Sequence, residues 1–193
     1  MRFGRVTVTG GFVLVWGFTV YLGAGAELAL CVLTALLHEA GHFLAVWLWG
    51  GGLESVELNA SGATIRARAE RLTYGREILC VLAGPAASLT AALLFALWSD
   101  TIPFGLTASG LCLMQGLFNL LPARGLDGGR ALRLALESRR SVCTERVTRL
   151  ASYVSVWIVS ALTAVAFARG GYDWIVLGIG ALAVTAMLGT GRD

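Results

Sequence analysis

Long apolar runs separated by short polar links fill most of this chain, and their length predicts membrane-spanning helices. A hydrocarbon core of about 30 Å takes about 20 helical residues to cross. Runs of that kind cover residues 7–24, 28–49, 77–98, 102–121, 149–168 and 172–189, which predicts six spans. Two stretches fall outside the pattern. In VELNASGATIRAR, residues 56–68, apolar positions recur at every second residue: Val56, Leu58 and Ala60, then Ala63, Ile65 and Ala67, about a Ser61-Gly62 turn. That period belongs to strands, and the Ser-Gly step to a hairpin. Residues 123–148 are rich in arginine, and GGRALRLALESRR within them has the spacing of an amphipathic helix. The expected fold is an all-α polytopic membrane protein with about six transmembrane helices and a small membrane-associated β-hairpin. No composition shift, repeat or low-complexity tract divides the chain, so residues 1–193 are expected to form a single integral-membrane domain.

Composition supports the membrane reading. Hydrophobic residues make up 56% of the sequence and charged residues 14%, with a mean hydropathy of +0.74, far from the usual composition of soluble domains. All 15 cationic residues are arginine. Apart from Arg169 they fall on one side of the six-span assignment. By the positive-inside rule both termini are then cytoplasmic, and the links near Glu27, Asp100 and Asp173 face outward. The net charge of +3 is a topology signal and not a nucleic-acid footprint. An alternative for the N-terminus is a secretory signal, with Arg2 and Arg5 ahead of apolar residues 12–22 and Ala24-Gly25-Ala26 as a cleavage-like site. Cys31, Cys80 and Cys112 lie in apolar runs and Cys143 in the arginine-rich stretch, with no C-x-x-C pair. Neither a disulfide framework nor a thiolate metal site is indicated.

The second run holds the chain's only histidines. LTALLHEAGHFLAVWLW, residues 33–49, places His38, Glu39 and His42 among apolar neighbours. A charged side chain at the centre of a membrane helix costs roughly 2.5–3.5 kcal/mol on insertion scales, so something local must offset it. Helical residues four apart share a face, with Cβ atoms about 5–6 Å from one another, and two imidazoles so placed can share a metal ion. HExxH is the spacing of zinc sites in which the histidines bind the ion and the glutamate is a general base toward water. The plainer alternative is a set of polar residues satisfied inside a helix bundle. A catalytic zinc site typically has three protein ligands. With no third histidine or cysteine pair, the candidates on the same side are Glu54, Glu57, Glu70, Glu77, Asp127, Glu137 and Glu145. Asp127 stands in NLLPARGLDGG, residues 119–129, where Pro122 and Gly125 interrupt the fourth run. Broken backbone at membrane depth is tolerated where it lines a cavity. The same position also suits an N-cap for the helix that follows, and spacing alone does not choose between ligand and cap.

HEAGH on the second run, with NLLPARGLDGG at the end of the fourth, resembles the site-2 protease family of intramembrane zinc metalloproteases, and most closely its stage IV sporulation protein FB group. The resemblance implies one zinc ion per chain, held by His38, His42 and Asp127, with water activated by Glu39. Asn119 is implied to help hold the substrate or the developing oxyanion. The implied substrate is a membrane-embedded or membrane-associated protein, such as a transcription-factor precursor or an anti-sigma factor, met in the lipid bilayer. No nucleic-acid partner is implied, and the sequence is silent on oligomeric state. It shows neither a PDZ-like insertion nor a CBS domain. Gly84-Pro85-Ala86-Ala87-Ser88 resembles a family motif that usually ends in asparagine, and Ser88 departs from it. By themselves Ala83, Gly84, Ala86 and Ala87 are small residues that let membrane helices approach closely.

A helical substrate hides its carbonyls in its own hydrogen bonds and must unwind to be cut. The alternating segment with Val56, Leu58 and Ile65 is expected to bind it by offering a strand edge, main chain to main chain. A plain loop between two spans is the alternative. The competing function is a zinc-binding membrane protein or metal carrier without peptidase activity. A carrier needs polar ligands through both halves of the bilayer, and the outer half offers only Glu27, Asp100 and Asp173.

Overall fold

The computed structural model describes residues 2–3, 6–8, 21, 25–59, 62–68 and 72–168. Its contacts divide the chain into two units, residues 1–118 and 119–193. The first contains strands β1 (Arg2–Phe3) and β2 (Val6–Val8), helix α1 (Gly25–Leu48), strands β3 (Gly52–Asn59) and β4 (Gly62–Arg68), and helices α2 (Tyr74–Leu97) and α3 (Gly105–Asn119), the last ending at the boundary. The second contains α4 (Asp127–Ser138) and α5 (Thr144–Ala168).

Among the described residues, three helices are long and apolar enough to cross a membrane: Ala29–Leu48 in α1, all of α2, and Thr144–Val165 in α5. They fall on the runs at 28–49, 77–98 and 149–168. The run at 102–121 is different. Its helix, α3, has 15 residues and rises about 22 Å, short of the hydrocarbon core. Both ends are cut by backbone chemistry. Pro103 and Phe104, the latter at φ 61°, sit in the turns that precede α3, and beyond Asn119 the chain leaves the helix ahead of Pro122, which disfavours helical backbone at the residue before it. The expected first span, 7–24, begins instead with extended chain, because Val6–Val8 pairs with β3. Residues 9–20 and 22–24 of that span lie outside the described residues, as do the expected span at 172–189 and both chain ends.

The strands pair in the order β1-β2-β3-β4, antiparallel except for the parallel β2/β3 pair. Val56 stands opposite Ile65 and Leu58 opposite Ala63. Residues 60–61, between β3 and β4, lie outside the described residues. The chain enters β3 through a glycine cap on α1. Gly50 adopts φ 83°, its N–H donates to the Trp47 carbonyl at 2.9 Å, and the Gly51 N–H donates to the Val46 carbonyl at 3.0 Å.

Helices α1 and α2 pack backbone to backbone. A Cβ on Gly41 would lie 2.5 Å from the Ala83 carbonyl oxygen and 2.6 Å from the Ala87 Cβ, so only glycine permits this approach. Helix α3 joins α2 through Gly116, where a Cβ would meet Leu89 at 3.0 Å, and through Ser109, whose hydroxyl donates to the Ala92 carbonyl at 2.8 Å. Such contacts hold membrane helices together, since lipid gives no hydrophobic drive between them. Leu33, Leu44, Leu79, Leu93 and Leu97 are exposed, a surface suited to acyl chains.

In the second unit α4 packs on α5 with Ala131 and Leu134 buried. Its N-cap is Leu126, extended at φ −117° and ψ 159°. Asp127 therefore opens the helix as an acid in its first turn and does not cap it. A carboxylate there gains about 0.3–1 kcal/mol from the helix dipole. The preceding loop is tightly folded, with the Leu126 N–H donating to the Ala123 carbonyl at 2.9 Å. A Cβ on Gly128 or Gly129 would collide with the carbonyls of Leu120 and Ala123, so the glycine pair is what lets α4 begin against that loop. Arg124 ties the loop to α5. Its main-chain N–H donates to Ser152 Oγ at 3.1 Å, and its guanidinium pairs with Glu145.

Candidate metal centre

One helical turn of α1 gathers the polar groups of the second run. The His38 and His42 ring centroids lie 5.0 Å apart with their planes nearly perpendicular, at 81°. Together with Glu39 their ligand atoms fall within 4.8 Å of one another. His38 is buried, at 3% exposure, while Glu39 and His42 are half-buried.

Each ring is held from α2. His38 Nδ1 lies 2.8 Å from the Ser88 hydroxyl, which is fully buried. His42 Nδ1 donates to the Cys80 carbonyl at 2.9 Å. A carbonyl oxygen only accepts, so in neutral His42 the proton sits on Nδ1 and the lone pair on Nε2. The ring reaches that carbonyl because Gly84 has no side chain; a Cβ there would overlap the imidazole. Gly84 therefore makes room for a ring, where its small size alone suggested helix packing. Ala83 and Ala87 do pack, on Gly41, and Ala86 is exposed. Buried Pro85 lacks the N–H that would serve the Val81 carbonyl, immediately beside the carbonyl that His42 uses. Sequence reasoning missed the Cys80 carbonyl and the purpose of Gly84. The available signal was a glycine followed by proline inside an otherwise uninterrupted apolar helix.

The other candidates are distributed over both units. Val56 and Leu58 lie on β3 and Ile65 on β4. Asn119, the last residue of α3, and Asp127, the first of α4, belong to the second unit. Among the remaining carboxylates, Glu54 and Glu57 are on β3 and Glu77 is in the first turn of α2. Glu137 pairs with Arg133 at 2.8 Å, and Glu145 pairs with Arg124 and Arg149. Glu70 lies outside the described residues. The donor set on α1 fits zinc: two imidazoles one turn apart, each engaged through Nδ1 by a hydrogen-bonding partner, and a carboxylate beside them.

The sequence model of peptidase family M50 matches residues 98–162. The chain is 34% identical over 131 residues to Rip3 of Mycobacterium tuberculosis, named as a candidate zinc metalloprotease, across 62% of this chain and 33% of that one. It is 31% identical over 117 residues to a zinc metalloprotease of Methanocaldococcus jannaschii, across 57% of this chain and 34% of the relative. The chain thus spans about a third of the length of these relatives. Among solved structures, the site-2 protease from Methanocaldococcus jannaschii matches with a TM-score of 0.65 at 21% identity, covering 100% of this chain and 94% of that one, a likeness of fold. The chain is thus similar over part of its length to peptidase family M50 and to zinc metalloproteases, has the fold of a solved site-2 protease, and carries three helices long and apolar enough to cross a membrane among its described residues.

Proposed function

We propose that this chain is an intramembrane zinc endopeptidase that cuts a membrane-embedded or membrane-associated protein. The observation that carries this reading is the α1 turn, where two imidazoles and a carboxylate bring their ligand atoms within 4.8 Å. His38, His42 and Asp127 would hold one zinc ion. When bound, zinc polarises the scissile carbonyl and acidifies the attacking water. The Glu39 carboxylate accepts a proton from that water and delivers it to the leaving amine nitrogen, which regenerates the carboxylate. The Asn119 amide donates to the oxygen on which charge develops. The purified protein should contain about one zinc per chain and cleave a membrane substrate in a manner lost on chelation and restored by zinc. Cleavage that survives complete removal of metal would overturn the reading. We further read the chain as resembling the stage IV sporulation protein FB group, with a transcription-factor precursor or an anti-sigma factor as the kind of substrate.

Substrate is proposed to add to the sheet in extended form. β3 is paired on both sides, by β2 and β4, whereas β4 has one paired edge among the described residues. The edge for a substrate is then that of β4, around Ile65. Successive N–H groups of a strand point to opposite edges, so one of Ile65→Pro and Arg66→Pro removes a donor from the outer edge. That variant is expected to lower cleavage with zinc content unchanged. Wild-type rates from both would remove this edge from substrate binding.

The proposed membrane orientation follows the arginine asymmetry, with both termini cytoplasmic. A reporter fused to either end should be active only in the cytoplasm, and an external N-terminus would revive the secretory-signal alternative.

A further inference from the structure

We infer that Ser88 is a positioning residue for His38: its hydroxyl accepts the Nδ1 proton and so keeps the Nε2 lone pair available to a metal. The two α1 imidazoles are held by chemically different partners. His42 faces a carbonyl, which can only accept, and its tautomer is settled by that fact alone. His38 faces a hydroxyl at 2.8 Å, which can accept or donate. A serine oxygen carries two lone pairs beside its proton and can therefore accept the imidazole N–H. Both partners are shut away from water, at 3% exposure for His38 and 0% for Ser88, so solvent does not compete for this bond. An asparagine at position 88 would offer an amide oxygen in the same role, which gives the departure from the motif a physical meaning. The acceptor is retained while the group that supplies it changes.

The effect on metal affinity rests on the zinc reading above, but the tautomer does not, and the experiment separates them. With only two histidines in the chain, the imidazole nitrogens of metal-free protein are resolvable by nitrogen NMR under conditions where both rings are neutral. In wild type, both rings should carry the proton on Nδ1. In Ser88→Ala, His38 should become a mixture of tautomers while His42, held by the Cys80 carbonyl, stays as it was and reports that the helix pair is intact. Zinc affinity, measured by competition with a chelator, should fall about 10–100-fold, the usual effect of removing an outer partner of a metal-bound histidine. Ser88→Thr, which keeps the hydroxyl, should restore both. If alanine disturbs the packing, Ser88→Cys serves instead, matching serine in shape with only a weak acceptor. A His38 ring that keeps a single Nδ1–H tautomer without the Ser88 oxygen overturns the inference. Wild-type protein that binds no zinc, yet whose His38 tautomer follows Ser88, would sink the metal reading and leave the positioning role standing.

Discussion

Glu39→Gln is expected to keep its zinc and lose cleavage by about 10²–10⁴-fold, the usual contribution of a positioned general base. Glutamine has nearly the same shape and can occupy the same half-buried position beside the imidazoles. What it lacks is the ability to take a proton from water and return it to the amine. A carboxylate needed mainly to hold the ion would behave in the opposite way, with zinc content falling together with rate. Metal analysis and turnover on the same preparation therefore separate the two roles, and cleavage at the wild-type rate would remove Glu39 from the mechanism.

The second large effect is expected at Asp127. Leu126 occupies the cap position of α4, so Asp127→Asn leaves the cap in place, and the first-turn charge that it removes is worth about 0.3–1 kcal/mol. Expression and membrane insertion should hardly change. As a zinc ligand, however, a neutral amide is far weaker than a carboxylate. Zinc affinity and cleavage should both fall, as they should in His38→Ala. If asparagine supports full zinc content and turnover, the third ligand must be sought elsewhere. The remaining candidates are Glu54, Glu57, Glu70, Glu77, Glu137 and Glu145, of which the last two are engaged by arginines.

The HEAGH cluster was legible in the sequence because it is local: four residues along one helix fix which side chains share a face. Its partners were not. Ser88 is 50 residues from His38, and Cys80 is 38 from His42. Their meeting depends on where α1 crosses α2, and hydrophobic periodicity carries no information on that crossing. The α3 run shows a second limit. Apolar content is a property of side chains, whereas helix length is set by backbone stops, here the Pro103-Phe104 turn and the exit before Pro122. At Asp127 the difference between cap and first helical residue is one position, finer than spacing resolves. Thr7 and Val8 fall within the apolar run 7–24, although the β-branched residues of Val6–Val8 are the available sign of a strand.

The two ties that Arg124 makes to α5 respond differently to ionic strength. Its pairing with Glu145 is between side chains that are 34% and 67% exposed, where mobile ions screen attraction effectively. Its main-chain bond to Ser152 involves no charge and a buried hydroxyl, and added salt leaves it nearly untouched. Concentrated electrolyte would therefore free the guanidinium while the chain between Pro122 and Asp127 keeps its path.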